Sequence, residues 1–457
     1  MSDTAIKAGD FLFSRANTLE LVGAVVLVRN DHPNLFLSDK ILRLDLDPAL
    51  KPWLLKYLQS LEGKRKLAAV STGNQASMRN IGQNELKSVS IPLPPLNEQC
   101  RIVEKIDAMF EGIDKGVENL RGAKAALALY RQSLLKSAFE GKLTVDWRAQ
   151  NADKLETPKT LLARIQKERE TRYKSALDDW QTALAEWRAG GEVGRKPGKP
   201  RRFDDNLPVS ADEASEIGTV PQAWAWVRPS FIAEPSPHSI GIGPFGSNLK
   251  VSDYAASGVP LVFVRNITNN NFRLKLQFVS AEKAEELSSH GASAGDILIT
   301  KMGDPPGDCA IYPLDAPDAI ITADCLKFRV WDTFADRGFV AYMLRCAPVK
   351  NQLGLITQGV AQKKISVERF KTVAIPLPSL AEQAEITRIL DTRLTAADRM
   401  EAEIDAALTR ADALRQSILK RAFAGNLVPQ DPADEPAPTL LARIKAERAK
   451  ATKSKTK

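Results

Sequence analysis

Apolar residues recur at every seventh position along two stretches of the chain. The first stretch has Ile106, Ile113, Leu120, Leu127 and Leu134; the second has Leu390, Ala397, Ile404, Ala411 and Ile418. Val103, Phe110 and Val117 fill the complementary positions of the first stretch before giving way to Lys124 and Arg131, and Leu394 and Leu408 accompany the second. Such spacing, sustained over four to five heptads, predicts helices paired as a coiled coil. Leu and Ile in one stretch and several Ala in the other suit packing of the two against each other. A helix of about forty residues is roughly 60 Å long at ~1.5 Å per residue, a rod able to hold two globular domains at a fixed distance. Two separate amphipathic helices, each covering its own domain, remain the alternative.

Ahead of each heptad stretch lie short β-prone runs bounded by Gly, Pro, Asn and Asp: Phe11 to Phe13, Val22 to Val28, Leu261 to Val264, Ile297 to Ile299 and Lys327 to Val330. Helical patterns interrupt them at Pro52 to Leu61 and Asp336 to Cys346. This mixture predicts compact α+β domains. The joint between strands and heptads is a proline-broken phrase, IPLPPLNEQ from Ile91 and IPLPSLAEQ from Ile375. Proline lacks the N–H and fixes φ, so the phrase continues neither a helix nor a central strand. Ser379 and Glu382 then form a capping box at the helix start, whereas Pro95 takes the cap position in the first copy.

The phrase belongs to a longer duplication. RQSLLKSAFEGKL (Arg131 to Leu143) returns as RQSILKRAFAGNL (Arg415 to Leu427), TLLARI at Thr160 returns at Thr439, and GDFLFSR at Gly9 returns as GDILITK at Gly295. Thr72 to Ile81 matches Thr357 to Ile365 within one residue. A unit of roughly 285 residues therefore occurs twice in the same order, too long for a solenoid repeat. The resulting division is a partial first α+β domain (1–94), a coiled-coil helix (95–145), a helical spacer with a basic linker (146–216), a complete second α+β domain (217–378), a second coiled-coil helix (379–428) and a basic tail (429–457). The spacer carries Trp180 and Trp187, and the Gly- and Pro-rich run Ala189 to Asp205 reads as a solvated linker.

Charge adds a partner class. The formal net charge is +8 and the pI about 9.1, which points to an anionic partner, nucleic acid first, although part of the excess sits in Arg195 to Arg202 and in the tail from Arg443. The four cysteines are scattered without a CxxC pair and read as reduced cytoplasmic thiols; three histidines leave little for a metal centre. The apolar run Leu21 to Val28 is too short to span a bilayer, and the N-terminal residues show no secretory signal.

Candidate chemistry is sparse. Gly241 to Gly246 spells GxGxxG, but prolines precede it and Pro244 stands where a helix would begin, so it reads as a loop near DNA rather than a dinucleotide site. Asp304-Pro-Pro-Gly307 is short of the aromatic that an amino-methyltransferase needs to stack on a flipped base. No nuclease core and no phosphate-binding GxxxxGK[ST] loop stands out.

Two α+β domains, each followed by a long helix, with the paired IPLP-EQ, RQSxLKxAFxGxL and GD motifs, resemble the specificity subunit of type I restriction-modification systems. The start of the second domain also fits, through Val220 to Trp226, Gly243 to Lys250, Asp253-Tyr254 and Gly258 to Pro260. The resemblance implies a tandem pair of target-recognition domains, each reading one half of a bipartite double-stranded DNA target, with an antiparallel coiled coil setting the spacer. It implies a non-catalytic chain that docks two methyltransferase subunits and motor-nuclease subunits, with S-adenosylmethionine, ATP and Mg on those partners only. One departure stands out. About seventy residues separate Trp226 from Gly295, but only eight precede Gly9, so the first domain lacks a WxW opening and a GPFGSxLK loop. An internal start at Met1, a fragment of a longer subunit and a naturally shortened form are the three expectations. Two other functions stay open: an assembly decoy that reads no DNA productively, and a self-contained adenine methyltransferase.

For DNA contacts the repeat narrows the field, because base edges are read by Arg, Lys, Asn and Gln and phosphates are held by Lys and Arg. Arg15 and Lys301 occupy equivalent positions; Arg79-Asn80 aligns with Lys363-Lys364; Lys250, Arg265 and Asn266 lie in loop-like segments of the second domain. Gln362, Lys363 and Lys364 are placed on the DNA face. Replacing these three by Ala is expected to weaken DNA binding and reduce the slope of log affinity against log salt by up to about 2, since two fewer cations release counterions. An unchanged slope in a salt titration counts against the assignment.

Overall fold

The computed structural model describes residues 5–18, 20–75, 78–200, 202, 208–303, 306–357 and 364–455. It is a mixed α and β structure in two compact units, one formed by residues 1–125 and 400–457 and the other by 126–399. Each long heptad stretch is one helix, Leu96–Phe139 and Leu380–Phe423.

In unit 1, strand β1 (Phe11–Ser14) is flanked antiparallel by β2 (Val25–Leu27) and β3 (Ile41–Leu44). Alternation sends Phe11 and Phe13 to one face, where they pack with Leu54, Tyr57 and Leu58 of α1 (Lys51–Gln59) and Leu67 of α2 (Leu61–Val70). Ser60 caps α2 by accepting from the Gly63 N–H at 3.1 Å. A small sheet follows, in which β4 (Met78–Asn80) pairs with Ala16–Asn17.

Unit 2 repeats this core. After α3 (Pro158–Ala189), β5 (Ala225–Val227) and β6 (Ile240–Ile242), the central strand β7 (Ile297–Thr300) lies between β8 (Cys309–Ile311) and β9 (Cys325–Phe328), with β6 beyond β9. Helices α4 (Arg337–Arg345) and α5 (Ala347–Leu355) correspond to α1 and α2. A further five-stranded sheet, built from residues 254–321, packs Val262 and Ile321 against Leu298 and Ala310 on the far side of β7 and β8.

The GD motif has a structural cause. Gly9 and Gly295 adopt φ of +82° and +87°, and the Asp that follows accepts a backbone N–H three residues back, Lys7 at 2.8 Å and Ser293 at 2.9 Å. Each Asp also pairs with an arginine, Asp10 with Arg43 of the neighbouring strand at 2.9 Å and Asp296 with Arg329, just past the end of β9, at 2.7 Å.

Within each unit the long helices pack together. In unit 1, Ile102 and Ile106 meet Ile418, Leu419 and Ala422 around Trp53, and ion pairs join Lys124 to Asp405 at 2.7 Å and Arg415 to Asp114. Position numbers rise along one helix as they fall along the other, so the pairing is antiparallel. In unit 2, Leu134 and Leu390 share one core and Arg131 reaches Asp398 at 2.8 Å. Of the ten seam positions, Ile106, Leu134, Leu390, Ala397 and Ile418 are buried; Ile113, Leu120, Leu127, Ile404 and Ala411 are half-buried.

Three local expectations change. The phrase from Ile375 is not merely a break: β10 (Ile375–Leu377) pairs antiparallel with β5, which Pro376 permits because this is a two-stranded ribbon with alternate residues carrying the ladder. The capping box is half formed. Ser379 accepts the Glu382 N–H at 3.4 Å, but the Glu382 carboxylate turns to other donors. The stretch after Ala189 folds back on α3, since the indoles of Trp180 and Trp187 donate to the carbonyls of Pro197 (3.1 Å) and Gly194 (3.4 Å). The last helix, α6 (Ala437–Lys455), carries the second TLLARI.

Ile106→Ala in unit 1 and Leu390→Ala in unit 2, both fully buried, are each expected to cost about 2–5 kcal/mol, read as a lowered midpoint in denaturant unfolding.

Candidate nucleic-acid interface

Five of the residues singled out for DNA contact gather at a junction of their own unit, Arg15, Arg79 and Asn80 in unit 1 and Lys301 and Lys364 in unit 2, whereas Lys250, Arg265 and Asn266 lie on other segments of unit 2. In unit 1 the chain leaves β1 at Arg15, whose N–H donates to the Lys40 carbonyl at 2.9 Å and whose carbonyl accepts the Ile81 N–H at 2.8 Å. Ala16 and Asn17 then pair with Asn80 and Arg79, so Arg15, Arg79 and Asn80 are brought together. In unit 2 the chain leaves β7 at Lys301, whose N–H donates to the Asp324 carbonyl at 2.8 Å and whose carbonyl accepts the Ile365 N–H at 3.0 Å. Met302 bridges Lys364, which places Lys301 and Lys364 side by side. The same backbone clamp thus presents a basic residue beside Arg79 and Asn80 in unit 1 and beside Lys364 in unit 2. Gln362 and Lys363 lie outside the described residues.

The side chains differ in how free they are. Lys364 and Lys250 are exposed, and Lys250 follows the loop of Gly243 to Asn248. Asn80 is exposed; Arg79 is half-buried and donates to the Gly73 carbonyl at 2.9 Å. Lys301 is half-buried with Nζ on the Ala323 carbonyl at 3.2 Å. Arg265 stacks its guanidinium 3.9 Å from the Phe263 ring centroid and donates to Lys275 O at 2.9 Å. Asn266 is 2% exposed, so the structure gives it an internal task. Its amide accepts the Phe263 N–H and donates to the carbonyls of Asn271 and Leu274, holding a loop in shape rather than facing outward.

Sequence reasoning missed two features. Phe245 is 68% exposed between Gly243-Pro244 and Gly246, an apolar ring at the tip of the loop. Gly243 makes this loop possible, because a Cβ there would lie 2.1 Å from the Thr322 carbonyl oxygen. The other is Lys327, a lysine 4% exposed in β9 that donates to the Gly291 carbonyl; burial pulls it below the usual lysine value. Its hydrophobic neighbours in sequence give no sign that the amine is enclosed.

Cys309, Cys325 and Cys346 are buried free thiols pushed up by burial, Cys325 to about 12, and no cluster of metal-ligating side chains occurs among the described residues. After Gly246 comes a single 3-10 turn, Val251–Asp253, and not the α-helix a dinucleotide fingerprint requires. Asp304 and Pro305 lie outside the described residues. No described helix is long and apolar enough to cross a membrane.

Known proteins share this plan. Residues 2–120 and 256–410 match the type I restriction modification DNA specificity domain. The chain is 26% identical over 418 residues to the type I restriction enzyme EcoKI specificity subunit of Escherichia coli strain K12, covering 87% of this chain and 72% of that one. It is 24% identical over 394 residues to the EcoBI specificity subunit of Escherichia coli, with coverage of 84% and 70%. A solved chain from work on complex assembly and conformational transition of the type I R-M system superposes with a TM-score of 0.59 at 20% identity, covering 93% of this chain and 85% of that chain, a likeness of fold.

Asn266→Ala is expected to destabilise unit 2 by about 1–3 kcal/mol through loss of its buried hydrogen bonds. Lys250→Ala at the exposed loop is expected to stay within about 0.5 kcal/mol of the parent. Thermal unfolding of the two variants distinguishes these outcomes.

Proposed function

The chain belongs to the type I restriction modification DNA specificity domain family, and from that premise we propose that it is the non-catalytic subunit that selects the DNA sequence for a type I restriction-modification complex. The observation that carries this reading is the duplicated junction: Arg15 clamped to Ile81 and Lys301 clamped to Ile365, one basic cluster per unit on the same sheet-and-helix frame. Two such clusters suit a bipartite double-stranded target, with phosphates held by lysine and arginine and base edges read from the loops. Exposed Lys250, Lys364 and Phe245 are the unit 2 contacts best placed to reach a groove.

The antiparallel helices then set the spacing between half-sites. The segments Arg131 to Leu143 and Arg415 to Leu427, nearly identical in sequence, present equivalent surfaces to two methyltransferase subunits. Motor-nuclease subunits complete the complex. S-adenosylmethionine, ATP and Mg belong to those partners, and the site of action is the cytoplasm, where the DNA is. A self-contained methyltransferase has less support, because the described residues assemble no cofactor cradle around Gly241 to Gly246.

A second reading has an observation of its own. In unit 1 the outer face of the sheet is open at its β2 side: Val26 is 51% exposed, whereas Ala310, its counterpart in unit 2, is fully buried. Unit 1 on this reading assembles with partners without reading DNA. Mapping methylated adenines in a methyltransferase-competent strain, with the gene present and deleted, separates the two. Loss of a bipartite methylated motif on deletion is the expected result; an unchanged methylome supports the assembly decoy.

A further inference from the structure

In unit 2 the loop after β6 and the Lys301 junction share one support, the turn from Thr322 to Cys325 that leads into β9. The Cys325 N–H closes this turn on the Thr322 carbonyl at 2.9 Å. β9 lies between β6 and β7, and both neighbours end beside its start, Ile242 opposite Leu326 and Thr300 opposite Cys325. On the β6 side, the Gly243 N–H donates to the Cys325 carbonyl at 3.2 Å, and Gly243 lies too close to Thr322 for any side chain. On the β7 side, the Lys301 N–H donates to the Asp324 carbonyl at 2.8 Å and its Nζ to the Ala323 carbonyl at 3.2 Å. The turn therefore carries the root of the loop on one flank and the basic junction on the other.

Single exposed apolar side chains are ordinary on protein surfaces. Phe245 differs in how it is mounted. Pro244 before it is buried, and a proline has its φ fixed. The Phe245 carbonyl accepts the Asn248 N–H at 2.8 Å, which closes a tight turn over Gly246 and Ser247. The backbone is thus held on both sides while the ring stays 68% exposed. Val251, past exposed Lys250, is 79% exposed. From Phe245 to Ser252 there is no acidic residue. The supporting turn contributes one exposed acid, Asp324, against exposed Lys250 and Lys364 and half-buried Lys301. A fixed apolar ring among cations suits a polyanion with a flat, apolar interior, and stacked duplex DNA has both properties.

We propose that Phe245 is a wedge that enters a DNA duplex between two adjacent base pairs and bends it there, while Lys301 and Lys364 hold neighbouring phosphates. The inference rests on the DNA-selecting role proposed above and adds to it a way of selecting. Opening a base step costs least where the step is flexible, as at the pyrimidine–purine steps TA and CA/TG. The half-site bound by unit 2 therefore contains such a step, favoured without any hydrogen bond to its base edges. The inserted ring restores part of the stacking that the step loses, because every base offers it a π-face. Two local features make the insertion feasible: the turn at Asn248 keeps the ring from folding back, and Gly246 beside it leaves open space where a larger residue would crowd the bases.

The test begins with duplexes of randomised core sequence, enriched by repeated binding to the full chain. The enriched duplex is then made with a fluorescent base analogue, which brightens when unstacked, at successive positions. No methyltransferase is present, so flipping of a target base does not contribute. Brightening at a single pyrimidine–purine step is expected for the parent chain, kept by Phe245→Leu and lost with Phe245→Ala. Phe245→Ala is also expected to weaken binding about tenfold with an unchanged slope of log affinity against log salt, because no cation is removed, whereas Lys364→Ala lowers the slope by about 1. The Tm of both Phe245 variants is expected to match the parent, since the side chain is exposed. Salt-dependent binding of an enriched duplex that stays dark at every position overturns the wedge and leaves the DNA-selecting role standing. Failure to enrich any duplex removes that role and the wedge with it. A Phe245→Ala complex with the parent's affinity and brightness also overturns the proposal and assigns the ring to a protein partner.

Discussion

A buried glutamine amide ties the long helix of each unit to the proline-broken phrase that precedes it. Gln99 and Gln383 are each 1% exposed or less, and each donates to a proline carbonyl five residues earlier. Proline ends the extended run and has no N–H to offer, so the carbonyl before the helix needs a donor from elsewhere. The amide provides it from the first turn of the helix. The first turn of each long helix is thereby tied to the proline that precedes it. In unit 2 the same amide also accepts the Asp336 N–H at 2.7 Å, which ties the long helix to the start of α4.

Much of this plan was legible in the residues. The heptads fixed which face of each long helix is covered, because a period near 3.5 leaves little choice of face. The repeat exposed the equivalence of Arg15 with Lys301 before any backbone was seen, and the backbone clamps to Ile81 and Ile365 give that equivalence a geometric meaning. Helix positions around Pro52 and Asp336 followed from local signals, Asp336 being a cap that accepts the Phe339 N–H at 2.7 Å.

What escaped notice depends on partners distant in sequence. Asn266 sits in a polar, loop-like run that reads as surface, yet its amide is spent on residues up to eight positions away. Nothing near Glu382 in sequence announces Trp224 and Arg148, which arrive from 158 and 234 positions earlier. Trp180 and Trp187 look like exposed oddities on a charged helix until the returning chain offers its carbonyls. A single sequence records which groups can bond; long-range packing decides which do.

The cysteines carry a practical corollary. Cys100 alone is exposed, one turn into the first long helix, while Cys309, Cys325 and Cys346 are enclosed, and burial pushes their thiols up. Thiolate, not thiol, attacks electrophiles, so an alkylating dye meets one reactive sulfur in the native chain. That sulfur stands two residues from Glu98 and next to Gln99. The protein therefore comes with a built-in reporter: a fluorophore placed there without mutagenesis would sense the joint of unit 1 and leave unit 2 dark.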